Sequence, residues 1–249
     1  MPGAIIQSPN PIPMNNRLWD LAAAVPVLLL CVFGALGFAI EIHAQWPDRF
    51  GFPQQARILS EAASAIFLAM QAGLIIRRRL PVYKAPGIAP RAWGLAGAYF
   101  SYLMLLIPKA TSSPAMAIVS SILTITGTAA GICTLCWLGR SFAILPQARQ
   151  LVTQGPYRWV RHPLYLTEFI AALGLSLQFR QPWALLIIGL TIGLQFPRMR
   201  YEEKALAACF PDYRYYAART ARIVPFVLKE WRFNGGGPRA DWPTTALHA

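Results

Sequence analysis

The run Ala115-Met116-Ala117-Ile118-Val119-Ser120-Ser121-Ile122-Leu123-Thr124-Ile125-Thr126-Gly127-Thr128-Ala129-Ala130-Gly131-Ile132-Cys133-Thr134-Leu135-Cys136-Trp137-Leu138-Gly139 contains no charged residue. A helix that crosses a bilayer needs about 20 mostly apolar residues, and this run exceeds that length. Working outward, Leu21–Ile40 is also uncharged, and Ile58–Ile76 carries a single acid, Glu61. Trp93–Ile107 is shorter and ends at Pro108-Lys109. On the C-terminal side, Leu164–Phe179 and Pro182–Pro197 are separated only by Arg180-Gln181, the spacing of a tight helical hairpin. The predicted fold is therefore all-α. It is a polytopic membrane helix bundle of about six spans, with the last two as a hairpin and a cytosolic C-terminal helical segment beyond them.

Composition agrees. Mean hydropathy is +0.41 and only 13% of residues are charged, where soluble domains carry about 25%. The net charge of +13 does not indicate nucleic acid. The bases sit in loops between apolar runs, where they hold loops on the cytosolic side against anionic lipid. Arg77, Arg78, Arg79, Lys84 and Arg91 follow the second predicted span, and Arg140, Arg149, Arg158 and Arg161 follow the fourth. With six spans, both termini face the cytosol. The first span is longer than the apolar core of a secretion signal and has no basic cluster ahead of it, so it is read as retained. Residues 1–16 and 231–249 are predicted to be disordered, flanking N-terminal transmembrane helices over 17–114 and a functional core over 115–230.

The four cysteines, Cys31, Cys133, Cys136 and Cys209, form no secreted disulfide framework. Cys133-x-x-Cys136 lies mid-membrane with no nearby His or acid to complete a metal shell, so these are read as packing residues and no metal site is expected.

Two polar constellations stand out. The first is Gly155-Pro156-Tyr157-Arg158-Trp159-Val160-Arg161-His162-Pro163-Leu164-Tyr165, which holds one of only three histidines. Pro163 suits the first turn of a helix, and the open amides at such a helix start, beside Arg158, Arg161 and His162, suit a carboxylate or phosphate. Arg161 and His162 are read as ligand contacts, Arg140 and Arg149 as lipid anchors. The second constellation follows the sixth span, where Glu202 and Glu203 share a helix face with Met199 and Leu206. Contact with a ligand and pairing with Arg198, Arg200 or Lys204 are both open for these acids. Glu168, an acid inside the fifth span, is a functional candidate on that ground alone, with a structural hydrogen bond as the alternative. Tyr213, Tyr215 and Tyr216 are read as an interfacial aromatic belt.

Gly155-Pro156-Tyr157-Arg158, Arg161-His162-Pro163-x-Tyr165, Glu202-Glu203 and Tyr213-x-x-Tyr216 ahead of Arg222-Ile223-Val224-Pro225 together resemble the isoprenylcysteine carboxyl methyltransferase family, which belongs with the membrane phospholipid methyltransferases. The likeness covers roughly residues 115–228. It implies a cytosol-facing pocket for S-adenosylmethionine and a lipophilic or small methyl acceptor, isoprenylcysteine-carboxylate-like first, entering from membrane lipid. By match to the motif, Tyr157, Arg161, His162 and Tyr165 would lie on the cofactor, with Glu202 or Glu203 closing the pocket. Glu168 or His162 would take a proton from an amine acceptor. The competing readings are an NADPH-dependent membrane reductase of a lipid or sterol, and a non-enzymatic transporter or assembly factor. Nothing in the sequence reports the oligomeric state.

Overall fold

The computed structural model describes residues 16–46, 50–110 and 113–225. The expected disordered ends lie outside these residues, except for Asn16, which opens the first helix. The chain forms eight α-helices among the described residues: α1 (Asn16–Ala22), α2 (Val25–Gln45), α3 (Phe52–Arg77), α4 (Ile88–Tyr99), α5 (Pro114–Leu138), α6 (Pro163–Ser176), α7 (Trp183–Cys209) and α8 (Asp212–Arg219). Proline stands in the first turn of α3, α5 and α6, where its missing donor is not needed. At α5 the Ser113 hydroxyl also accepts from the Met116 amide at 3.3 Å, a side-chain cap.

Three of these helices are long and apolar enough to cross a membrane: α2, α3, and α5 continued by a 3₁₀ turn to Ser141. Their outer faces carry exposed large apolar side chains, among them Leu29, Phe33, Ile40, Ile66 and Ile122, as lipid-facing surfaces do. The other three expected spans take different forms. Trp93–Ile107 is split between α4 and a 3₁₀ stretch, Phe100–Leu106. The apolar helix α6 has 14 residues. The sixth expected span becomes α7, which runs on through Pro197 to Cys209. Side-chain contacts hold that turn: Gln195 donates to the Gly97 carbonyl at 3.1 Å, and Arg198 donates to Gln195 Oε1 at 3.2 Å and to the Ile144 carbonyl at 2.8 Å.

α6 packs on α5, which packs on α3, which packs on α2, while α4 lies against α7. The α5–α6 contact is made close by small residues, as membrane helix interfaces often are. A Cβ on Gly127 would stand 2.3 Å from the Ala171 amide nitrogen, and one on Gly174 would stand 2.6 Å from that of Thr124. Ser120 Oγ donates across the same interface to the Gly174 carbonyl at 2.7 Å. Val27, Cys31, Ala72, Ile75, Leu135, Phe142 and Ile144 form a buried cluster where α2, α3 and α5 meet the loop after α5.

The hydropathy pattern does not reveal a two-stranded antiparallel pair, β1 (Tyr83–Lys84) with β2 (Gln147–Ala148), which ties the loop after α3 to the loop after α5. Arg140 Nε donates to the Arg77 carbonyl at 3.0 Å, so the two basic loops lie at one end of the bundle. The other end gathers Glu41, Arg57, Glu61 and Lys109 in ion pairs.

Candidate functional site

At the basic end the chain after α8 returns to the start of α6. The amides of Arg161 and His162 donate to the carbonyls of Ala221 and Arg222 at 2.8 and 3.0 Å, and Val160 bridges Ala221 in parallel. These two amides, which precede the first turn of α6, are therefore engaged by backbone. The distant segments expected to converge do so.

Glu203 is the knot that holds them. Its carboxylate is fully buried and meets His162 Nε2 at 3.1 Å, Arg161 Nη1 at 3.3 Å and the Arg222 guanidinium through both oxygens. Burial alone would raise its pKa. The hydrogen bonds from His162 and Arg222 and the Arg161 charge outweigh that and hold it below the ordinary carboxylate value. Glu202, one residue earlier, turns elsewhere. It accepts from the Tyr165 hydroxyl at 2.5 Å and pairs with Arg198 Nε at 3.3 Å, and Arg198 also stacks over the Tyr165 ring at 5.0 Å. His162 Nδ1 stands 4.0 Å from Glu202.

A cavity of about 640 Å³ opens on this arrangement, within the range typical of ligand pockets. Tyr157, Arg161, His162, Tyr165, Glu168 and Glu202 all line it, while Glu203 and Arg222 do not. From this polar end it runs past Glu168, Gln71 and Phe67 and reaches Glu41, Glu61 and Lys109 at the far end. Glu168 Oε1 accepts from Gln71 Nε2 at 3.5 Å, and Gln71 Oε1 takes a long contact from Cys31 Sγ at 3.8 Å. Tyr213 and Tyr216 also line the cavity, with the Tyr216 hydroxyl donating to the Tyr157 carbonyl at 2.6 Å. Tyr215 instead stacks under Arg219 at 3.9 Å. Two members of the expected aromatic belt are thus wall residues of the cavity, and burial keeps the Tyr157 and Tyr213 phenols neutral by pushing their pKa values up.

Sequence reasoning gave no site role to Arg198, Arg222 or Gln71. Arg222 stood inside the quoted motif without a task, and Gln71 carries no charge to draw notice. Two readings are corrected. Arg149 is not a surface-exposed interfacial anchor: its side chain is 0% exposed and pairs with Asp20 at 3.2 Å, whereas Arg140 is exposed as expected. Cys133 and Cys136 are exposed on α5 and so are not core packing residues.

Residues 109–212 match the family model for phospholipid methyltransferases. That segment is therefore similar to the phospholipid methyltransferase domain. It contains α5, α6, all of α7 and the cavity-lining Tyr157, Arg161, His162, Tyr165, Glu168 and Glu202. Two curated proteins are similar to the chain. The cobalt-zinc-cadmium resistance protein CzcN of Cupriavidus metallidurans is 37% identical over 76 residues, 30% of this chain and 35% of that protein. The nickel-cobalt-cadmium resistance protein NccN of Alcaligenes xylosoxydans xylosoxydans is 33% identical over 97 residues, 37% of this chain and 46% of that protein. The chain therefore covers less than half the length of each. The family match lies in a chain that has three helices long and apolar enough to cross a membrane.

Proposed function

We propose that the protein transfers a methyl group from S-adenosylmethionine to a lipophilic or small acceptor, with the donor site at the cytosolic face. The observation that carries this reading is one cavity joining the Arg161–His162–Glu202 end to the apolar interior between α2, α3, α5 and α6. A polar donor and an apolar acceptor can meet there without leaving the bilayer. The positive-inside rule places the end holding Arg77–Arg79, Arg140, Arg158 and Arg161 in the cytosol.

The residues present fit the donor. Arg161 offers a cation for its carboxylate. Glu202, on the cavity side, offers an acceptor for its ammonium or ribose hydroxyls. Tyr157, Tyr213 and Tyr216 give aromatic surface for its base. When bound, S-adenosylmethionine supplies a methyl carbon already activated by the sulfonium. The chain's own work is alignment and exclusion of water, which for well-oriented reactants is worth about 7 to 11 kcal/mol. Tyr165, held between Glu202 and Arg198, fixes the cavity wall at the start of α6. Glu203 acts one layer back by positioning Arg161 and His162. Glu168, deeper along the cavity and oriented by Gln71, is placed to accept the proton of an amine or hydroxyl acceptor. An isoprenylcysteine-like carboxylate needs no such proton removal. The names of the two relatives concern metal resistance, and the methyl-transfer reading does not depend on a metal.

The test is a membrane lipid extract incubated with purified protein and methyl-labelled S-adenosylmethionine, with mass analysis of labelled products. A labelled lipid that is lost in Glu202→Gln supports the reading. Saturable NADPH binding with no methyl donor bound would replace it with the reductase.

A further inference from the structure

The proposed reaction leaves one buried charge unused. Arg149 sits beside β2 with its side chain enclosed. Its Nη2 donates to both oxygens of Asp20 at 3.2 Å and to Gln147 Oε1 at 2.8 Å. Its Nε and Nη1 are also buried and make no hydrogen bond among the described residues. Asp20 is shared, because Arg78 donates from Nε to Asp20 Oδ2 at 2.8 Å and from Nη2 to the Asp20 carbonyl at 2.7 Å. Two guanidinium groups thus divide one carboxylate and leave a surplus positive charge shielded from water. Burial and then the Arg78 charge lower the Arg149 pKa, and Asp20 only partly restores it. Of the three, only Arg149 lines the cavity, along with Gln147 and Gln150. A buried cation with unused donors is costly unless an anion completes it.

We infer that Arg149 is an anion-binding residue of the cavity, taking the carboxylate or phosphate of a bound molecule through the donors that Asp20 leaves unused. That anion has two possible sources. One is the carboxylate of the methyl donor, which rests on the function proposed above. The other is the phosphate of a lipid headgroup, which does not. If the donor carboxylate is the source, Arg149 replaces Arg161, whose charge is already paired with Glu203, as the cation that holds it.

The experiment uses the full chain in lipid nanodiscs and two matched pairs of probes. S-adenosylmethionine is compared with its decarboxylated analogue by equilibrium dialysis, and phosphatidic acid with diacylglycerol by native mass spectrometry. Arg149→Gln is expected to weaken the anionic member of one pair about 10-fold or more and to leave its anion-free counterpart unchanged. A loss confined to S-adenosylmethionine assigns the donor carboxylate, and one confined to phosphatidic acid assigns the lipid phosphate. Arg78→Gln, which removes a cation outside the cavity, should spare both. Arg149→Lys keeps the charge with fewer donors and should weaken the same probe by a smaller factor, so it decides the matter if Arg149→Gln does not fold. Unchanged binding of all four probes, or equal weakening of all four, would overturn the inference. Failure of the wild-type protein to bind either form of the donor would count against the proposed function, while the lipid pair would still decide Arg149.

Discussion

A single step along α7 separates two carboxylates with different work, because successive helical residues point about 100° apart. Glu202 faces the cavity with Tyr165 and Arg198, and Glu203 is sealed among Arg161, His162 and Arg222. Glu202→Gln should therefore weaken S-adenosylmethionine binding about 10- to 150-fold, the range of one hydrogen bond to a charged group, with a smaller fall in melting temperature than Glu203→Gln, because Arg198 keeps Gln195 and the Ile144 carbonyl. Isothermal titration and a thermal melt of the same sample check both. Glu203→Gln should do the reverse and destabilise the fold by about 3–5 kcal/mol, because it strands buried cations. The pH dependence has a definite sign. The folded-state pKa of Glu203 lies below its ordinary 4.5, so its contribution is complete above the unfolded value and is lost as pH falls through the folded one. Melting curves at descending pH should show an acid loss of stability in wild type that is smaller in Glu203→Gln. Arg161, His162 and the two acids were legible as candidates from a histidine and paired acids at the ends of membrane helices, and Tyr165 only through the family resemblance. Which acid faces inward was not legible, because that depends on Arg222 and Arg198 arriving from other turns and segments.

Among the elements, the pairing of α5 with α6 carries the site, since α6 begins at His162-Pro163 and presents Tyr165 and Glu168. Gly127 and Gly174 allow that approach, whereas Gly189 on α7 has nothing within 4 Å of where a Cβ would stand. Gly127→Ala should cost about 1–3 kcal/mol through overpacking, and Gly189→Ala should be neutral or slightly stabilising. Unfolding in detergent, followed by circular dichroism, distinguishes them. Equal effects would mean that the close approach is not limiting. Hydropathy located α2, α3 and α5 because each is a long uninterrupted apolar run. It ended the last span at Pro197, where Gln195 and Arg198 in fact hold the helix together through Gly97 and Ile144. It could not show the β1–β2 pair, two residues from each loop joined only by backbone hydrogen bonds.

Over the whole molecule, the two ends carry opposite arrangements. Basic loops and the returning C-terminal segment gather at one, and the Glu41–Arg57–Glu61–Lys109 ion pairs at the other, with the cavity running between them. In a background without native cysteines, a cysteine at exposed Arg158 should react with an impermeant maleimide only from the cytosolic side, and one at Lys109 only from the opposite side. The reverse pattern would invert the orientation. The basic end was readable from loop composition. The Asp20–Arg149 pair was not, because its partners are 129 residues apart and each alone looks like ordinary interfacial charge. The convergence of the α6 start with the α7 tail is the claim on which the rest depends, and photocrosslinking of labelled S-adenosylmethionine to the purified protein tests it directly. Label recovered in peptides from both residues 155–165 and residues 198–216, and competed away by unlabelled donor, is the predicted result. Competable label in neither segment, or only at the Glu41–Lys109 end, would contradict it.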